Sequence, residues 1–314
     1  MLLFIRVPLP AAMTTTSTDA MHYLASTGSN AARIIVLALA CLLAGCSSVR
    51  LAYNNVPTFG TWWLNGYLDF DDSQSTRLRE DLASLQQWHR STQLPEMAGL
   101  LQRAQTLAAQ EHIAPAQACA LVDDVQRQLA DIAAHSEPGA AQLVRSLTPT
   151  QLQHLESKYS KTNEEFRKEW LALSPDKLHE KRYDKTLDRA EHFYGRLSAE
   201  QRALLRRQID ASSYDPRKLQ AERLRRQQDT LQTLRSVAGE QATPEQAERA
   251  LRGLFARYRQ SPQADYRAYA QRQIEEGCEG LALLHDSTTP AQRDNAVKRL
   301  QAYEKDFRSL AAQR

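Results

Sequence analysis

The sequence predicts an all-α protein, an elongated multi-helix bundle behind a cleaved export signal. Three observations carry this reading. A short apolar run near the N-terminus closes on a cysteine, apolar residues recur at three- and four-residue spacing thereafter, and one helix-start phrase repeats along the chain.

The signal comes first. Arg33 precedes the run Ile34-Ile35-Val36-Leu37-Ala38-Leu39-Ala40-Cys41-Leu42-Leu43-Ala44, which ends at Gly45-Cys46. A basic flank, a short apolar core and small residues are the parts of an export signal, and this core is far shorter than the roughly 20 apolar residues of a bilayer span. Leu43-Ala44-Gly45-Cys46 resembles the lipobox of bacterial lipoprotein precursors. The resemblance implies a diacylglyceryl group on the Cys46 thiol, removal of residues 1–45 and acylation of the new amino terminus, with palmitate among the chains. Two or more acyl chains anchor stably, each buried methylene contributing about 0.8 kcal/mol. Ser47, not Asp, follows Cys46, which by the same resemblance directs the protein to the outer membrane, on its periplasmic face. A signal-anchor helix that happens to hold a cysteine is the plainer alternative. Residues 1–20 are unusual for a signal, and Met21 is an alternative start that leaves 21–33 as a conventional leading segment.

Cleavage leaves about 270 residues, enough for a sizeable core. The net charge of +3 drops by one, because Arg6, Arg33 and Asp19 leave together, and 25% charged residues of both signs make a balanced surface. Nothing in that balance calls for nucleic acid. Cys119 and Cys278 remain after Cys41 is removed and Cys46 acylated. An oxidising compartment lets them pair, while two buried apolar thiols are the other reading.

Residues 46–72 stand apart from the rest. Tyr53, Phe59, Trp62, Trp63, Tyr67 and Phe70 cluster here among Pro57, Gly60 and Gly66. Positions 59, 63, 67 and 70 fit one helical face. The segment is expected to pack on the helical body as an aromatic clasp; the alternative places it in the bilayer interface, where Trp and Tyr are favoured.

Residues 73–314 read as the helical domain, sparse in Gly and rich in Leu, Ala, Gln and charged residues. Asp72 or Ser73 is the expected N-cap of a first long helix with Leu78, Leu82, Leu85, Trp88 and His89 on one face. Further stripes are Leu152, Leu155, Tyr159, Phe166 and Trp170; then Leu224, Leu231, Leu234 and Val237; then Tyr266, Tyr269, Ile274, Cys278, Leu281 and Leu284. The repeated phrase divides these helices. Leu147-Thr148-Pro149-Thr150-Gln151, Leu197-Ser198-Ala199-Glu200-Gln201, Ala242-Thr243-Pro244-Glu245-Gln246 and Thr288-Thr289-Pro290-Ala291-Gln292 are copies, and Ile113-Ala114-Pro115-Ala116-Gln117 is a degenerate one. A Thr or Ser N-cap, which the degenerate copy lacks, accepts from free amides, Pro suits the first helical position where it occurs, and Gln at N3 can return a bond to the cap. Ser174-Pro175 and Asp215-Pro216 are further starts, and roughly seven to nine helices are expected.

Two resemblances follow from these residues. Ser47 through Asn55, Trp62 through Phe70, and Phe166-Arg167-Lys168-Glu169-Trp170 together resemble an uncharacterised family of proteobacterial helical outer-membrane lipoproteins. That implies a lipoprotein and a helical fold, and supplies no activity. The Leu-Thr-x-x-Gln phrases at 147–151 and 197–201 resemble those of Spy- and CpxP-type periplasmic chaperones, which implies a client-binding role.

No local pattern announces catalysis or a metal. His89, His112, His135, His154, His179, His192 and His285 form no HExxH and never lie three or four residues apart. Asp69, Asp71 and Asp72 beside the aromatics suit glycan chemistry, or else cap a helix whose dipole stabilises them. The expectation is therefore a non-catalytic envelope lipoprotein without cofactor, held to the membrane through Cys46. It binds or scaffolds another periplasmic protein, with Tyr53, Trp62, Trp63 and Tyr67 as contacts. The alternatives are a Spy/CpxP-like chaperone and a peptidoglycan-binding or glycan-hydrolysing protein.

Overall fold

The computed structural model describes residues 48–239 and 242–313. Cys46, the signal and Met21 lie outside them. The chain divides into two units, Met1–Asn54 and Asn55–Arg314. The described part of the first is one short helix, α1 (Ser48–Asn54).

The second unit is a helical body. Its elements are α2 (Val56–Leu68), α3 (Asp72–Trp88), α4 (Leu94–Ala108), α5 (Pro115–Arg145), α6 (Pro149–Phe166), α7 (Pro175–Tyr194), α8 (Ala199–Ala211), α9 (Pro216–Val237), α10 (Pro244–Arg259), α11 (Ala264–Asp286) and α12 (Pro290–Ala311). No strand occurs among the described residues, and the fold is all-α. The segments outnumber the seven to nine expected because long helices are interrupted. A π-helical turn at His89–Gln93 joins α3 to α4, and another at Arg167–Leu171 follows α6. Asp215-Pro216 separates α8 from α9, since proline supplies no amide to continue the helix.

These segments line up as columns between two ends. The start of α3 meets the start of α6 at one end, and the start of α8 meets the start of α12 at the other. The pairs α3–α4 and α6–α7 run away from the first end; α5 runs back as one helix. The pair α8–α9 also runs back and α10–α11 returns, with Gly239 N–H and the Arg145 carbonyl bonded at 2.9 Å where α9 turns beside the end of α5. The last column is shared: α2 lies along α3 and α6, and α12 lies along α4 and α7.

Local chemistry explains the helix starts. Reciprocal capping boxes open α3, α6, α8, α10 and α12. The first is a correction to the sequence reading. Asp71, rather than Asp72 or Ser73, is the N-cap of α3, because only Asp71 places a glutamine, Gln74, at N3.

At each end two boxes interlock. Gln74 and Gln151 exchange amide bonds, Nε2 to Oε1, at 2.5 and 3.3 Å, and Gln201 and Gln292 do the same at 2.8 and 2.9 Å. Each Nε2 also donates to a carbonyl just before the opposite helix: Gln74 to Ser146, Gln151 to Asp69, Gln201 to Ser287 and Gln292 to Arg196. The residues preceding these caps, Phe70, Leu147, Leu197 and Thr288, are all buried beneath them.

Three apolar clusters fill the body. One gathers Phe70, Leu78, Leu147, Leu155, Leu234 and Leu251 near the first end. A second holds Tyr183, Tyr194, Leu197, Leu205 and Leu284 near the other. The third surrounds Cys119 and Cys278, which are bonded at 2.06 Å and tie α5 to α11 across 159 residues. Leu224 departs from its expected stripe. It is 45% exposed, while Leu231, Leu234 and Val237 of the same helix are buried.

Candidate functional site

The aromatic segment divides in two, and the turn that ends α2 is the reason. Asp69 adopts a left-handed conformation, φ 49°, and its amide bonds the Asn65 carbonyl at 2.8 Å. The Asn65 Oδ1 then accepts from the Phe70 amide at 2.7 Å. The helix stops at Leu68, so the single face expected for positions 59, 63, 67 and 70 does not form. Phe70 drops into the core beyond the turn.

The inner face of α2 is small and close. A Cβ on Gly60 would stand 3.0 Å from the Leu82 Cδ1, so helices α2 and α3 approach where Gly60 has no side chain. Thr61 is buried, its hydroxyl donating to the Pro57 carbonyl at 2.7 Å. Leu64, Tyr67 and Leu68 pack on the first cluster. Tyr67 meets Tyr159 edge-on at 6.4 Å, and the Lys158 ammonium sits 5.4 Å from its ring centre.

The outer face is large and apolar. Val56, Phe59, Trp62 and Trp63 follow one another at helical spacing and are 40%, 44%, 63% and 37% exposed. Trp63 leans on Tyr67, ring centres 4.9 Å apart. Elsewhere in the body the exposed large apolar side chains, Leu129, Leu224 and Leu283, fall one to a helix.

The expected contact residues therefore separate. Trp62 and Trp63 project outward together, and Tyr67 belongs mainly to the packing. Tyr53 is half-buried on α1, in the other unit. Val56 and Phe59 were missing from the expected contacts, although the sequence holds a signal for this face. No charged residue occurs between Arg50 and Asp69. Cys46, the expected acylation site, lies outside the described residues.

The acidic group takes helix-capping positions. The Asp71 Oδ1 accepts from the Gln74 amide at 2.8 Å and from the Ser73 hydroxyl at 2.9 Å, and these bonds hold its carboxyl below the ordinary aspartate value. Asp72 lies in the first turn of α3 and Asp69 in the turn before it, both exposed. Proton donation by Asp71 would require a raised value, opposite to what its cap imposes.

The histidines are dispersed. His285 is buried; its Nδ1 meets the Tyr194 hydroxyl at 3.0 Å and its Nε2 the Gln110 carbonyl at 2.8 Å. The carbonyl can only accept, so Nε2 donates to it. His135 stacks on Trp88, centres 3.9 Å apart, and His192 bonds the Tyr303 hydroxyl at 2.7 Å. Burial lowers His89. Among the described residues no three His, Cys, Asp or Glu side chains are grouped to hold a metal, and no helix is long and apolar enough to cross a membrane.

A charge network centred on the buried Glu222 lies between α9 and α10. Glu222 accepts from Arg225 at 2.8 and 2.9 Å, from Arg226 at 2.7 Å and from Ser261 at 3.0 Å. Asp229 pairs with Arg257 at 2.7 Å. Every charge here has a partner, which is the condition for keeping charges under a protein surface.

Residues 66–267 match the family of unknown function DUF6279, and the chain belongs to that family. The match begins at Gly66, so the Val56–Trp63 face precedes it. No curated protein and no solved structure matches the chain.

Proposed function

We propose that the chain is a non-catalytic envelope lipoprotein, acylated at Cys46 and held on the periplasmic side of the outer membrane, whose helical body binds or scaffolds another periplasmic protein. The observation that carries this reading is the outer face of α2. Four neighbouring large apolar side chains turned to solvent mark a surface built to meet a membrane or another macromolecule beside the proposed anchor, whereas scattered single ones are ordinary. This face begins ten residues after the cysteine of the lipobox-like sequence. The body behind it is tied at both ends by glutamine pairs and in between by a disulfide, as suits a platform.

Two measurements test the reading. Mass spectrometry of the amino-terminal peptide is expected to show an acylated Cys46 and no residues 1–45; an intact signal or a bare cysteine refutes the anchor. Photocrosslinkers at exposed Leu224 and Leu283, used in cells, are expected to trap one reproducible protein. Many unrelated unfolded clients would instead establish the chaperone alternative, and glycan adducts alone would establish a cell-wall role.

A further inference from the structure

We infer that the face of α2 formed by Val56, Phe59, Trp62 and Trp63 seats in the boundary between headgroups and acyl chains of a phospholipid bilayer. The inference rests on the anchor proposed above and names what this face touches.

Leu51 through Leu68 contain no Asp, Glu, Lys or Arg, and α2 carries none along its whole length. A protein-binding patch has an apolar centre within a polar, often charged rim. Here the neighbours on the same helix are Thr58 and Gly66. An uncharged helix with exposed indoles suits the interfacial zone, where Trp is enriched.

Nine residues separate Cys46 from Val56, and seven of them are helical in α1. An extended chain covers about 3.5 Å per residue and a helix about 1.5 Å, so the tether spans roughly 20 Å. With acyl chains buried at Cys46, the start of α2 stays within that distance of the bilayer. The aromatic face is the part of the body held there by the chain itself.

The inner face of α2 is fixed to α3 at Gly60 and to the first apolar cluster through Leu64, Tyr67 and Leu68. Only the outer face is left to enter lipid. Seating it lays the neighbouring columns along the bilayer, with the opposite side of the body turned to the periplasm for a protein partner.

The test uses the acylated full-length product, reconstituted in phosphatidylethanolamine and phosphatidylglycerol vesicles with or without acyl-brominated phosphatidylcholine. Of the four tryptophans, Trp62 and Trp63 are expected to emit at shorter wavelength in vesicles and to be quenched by bromine. A Trp62→Phe/Trp63→Phe variant with unchanged thermal unfolding is expected to lose that quenching. Acylated protein that floats with the vesicles but shows no bromine quenching overturns the seating and leaves the anchor standing. Protein lacking acyl groups at Cys46 overturns both. A photocrosslinker at position 62 that traps a discrete protein, in place of lipid, also overturns the seating.

Discussion

Gln201 and Gln292 close a ring of two amide hydrogen bonds across the starts of α8 and α12, at 2.8 and 2.9 Å. Each also accepts from the amide of its own cap residue, Ser198 or Thr289, at 2.9 and 3.0 Å. One side chain thus satisfies its own helix start, the opposite turn and its twin. Gln201→Ala is expected to cost about 2–4 kcal/mol, since buried polar groups lose their partners. Gln246 sits in an isolated, exposed box, and Gln246→Ala should cost below about 1 kcal/mol. Urea denaturation of the two variants compares them directly. Equal losses would mean that the pairing adds nothing to capping.

The Cys119–Cys278 bond joins α5 to α11 over a long loop. Cross-links of this kind restrict the unfolded chain, typically stabilising by about 2–4 kcal/mol. A Cys119→Ser/Cys278→Ser variant is expected to stay helical and to melt at lower temperature, as should the reduced wild type. An unchanged melting temperature would show that the third cluster holds these helices without the bond.

Acid should weaken the α9–α10 network. Burial pushes the Glu222 carboxyl up, but bonds from Arg225, Arg226 and Ser261 outweigh it and leave it below its ordinary value. Arg257 lowers Asp229 likewise. A carboxylate depressed in the folded state stabilises fully above its unfolded value, near pH 4–5, and that contribution disappears as pH falls through the lower folded value. The urea midpoint should therefore be level from about pH 7 to pH 5 and fall below. Glu222→Gln is expected to lower the plateau and flatten the fall. A slope identical to wild type would assign the acid sensitivity to other groups.

Gly60 permits α2 to lie close to α3. Gly60→Leu should force the helices apart at Leu82 and cost about 1–3 kcal/mol, the usual range for overpacking. Hydrogen exchange is expected to accelerate across α2 while α11 and α12 stay protected. Unchanged exchange in α2 would show that the helix is held by Leu64, Tyr67 and Leu68 alone.

Much of this architecture was legible in the sequence, for reasons that particular residues make clear. Thr148, Ser198, Thr243 and Thr289 cap helices through their own hydroxyls, a contact spanning three residues. The stripe Leu152, Leu155 and Trp170 is buried, because helical spacing alone gathers it. What was hidden depends on tertiary position. That Gln74 meets Gln151, and Gln201 meets Gln292, requires two helix starts to stand side by side, and nothing local encodes this. The division of the aromatic segment was equally hidden. It depends on Asp69 taking a left-handed turn, a conformation that glycine usually announces and aspartate does not. Leu224 looked like core by spacing, yet its helix turns that position outward.

The shared column has a consequence for how the body is completed during synthesis. Its second half, α12, spans Pro290–Ala311, so it leaves the ribosome after everything it covers. Until it docks, α4 and α7 have no cover on the side where Leu310 is finally sealed, with no exposure left. The growing chain therefore carries an open apolar seam until its closing helix arrives, and such a seam invites aggregation. In this protein the closing helix acts as a keystone, and the danger in its biogenesis lies in the interval before that helix is in place.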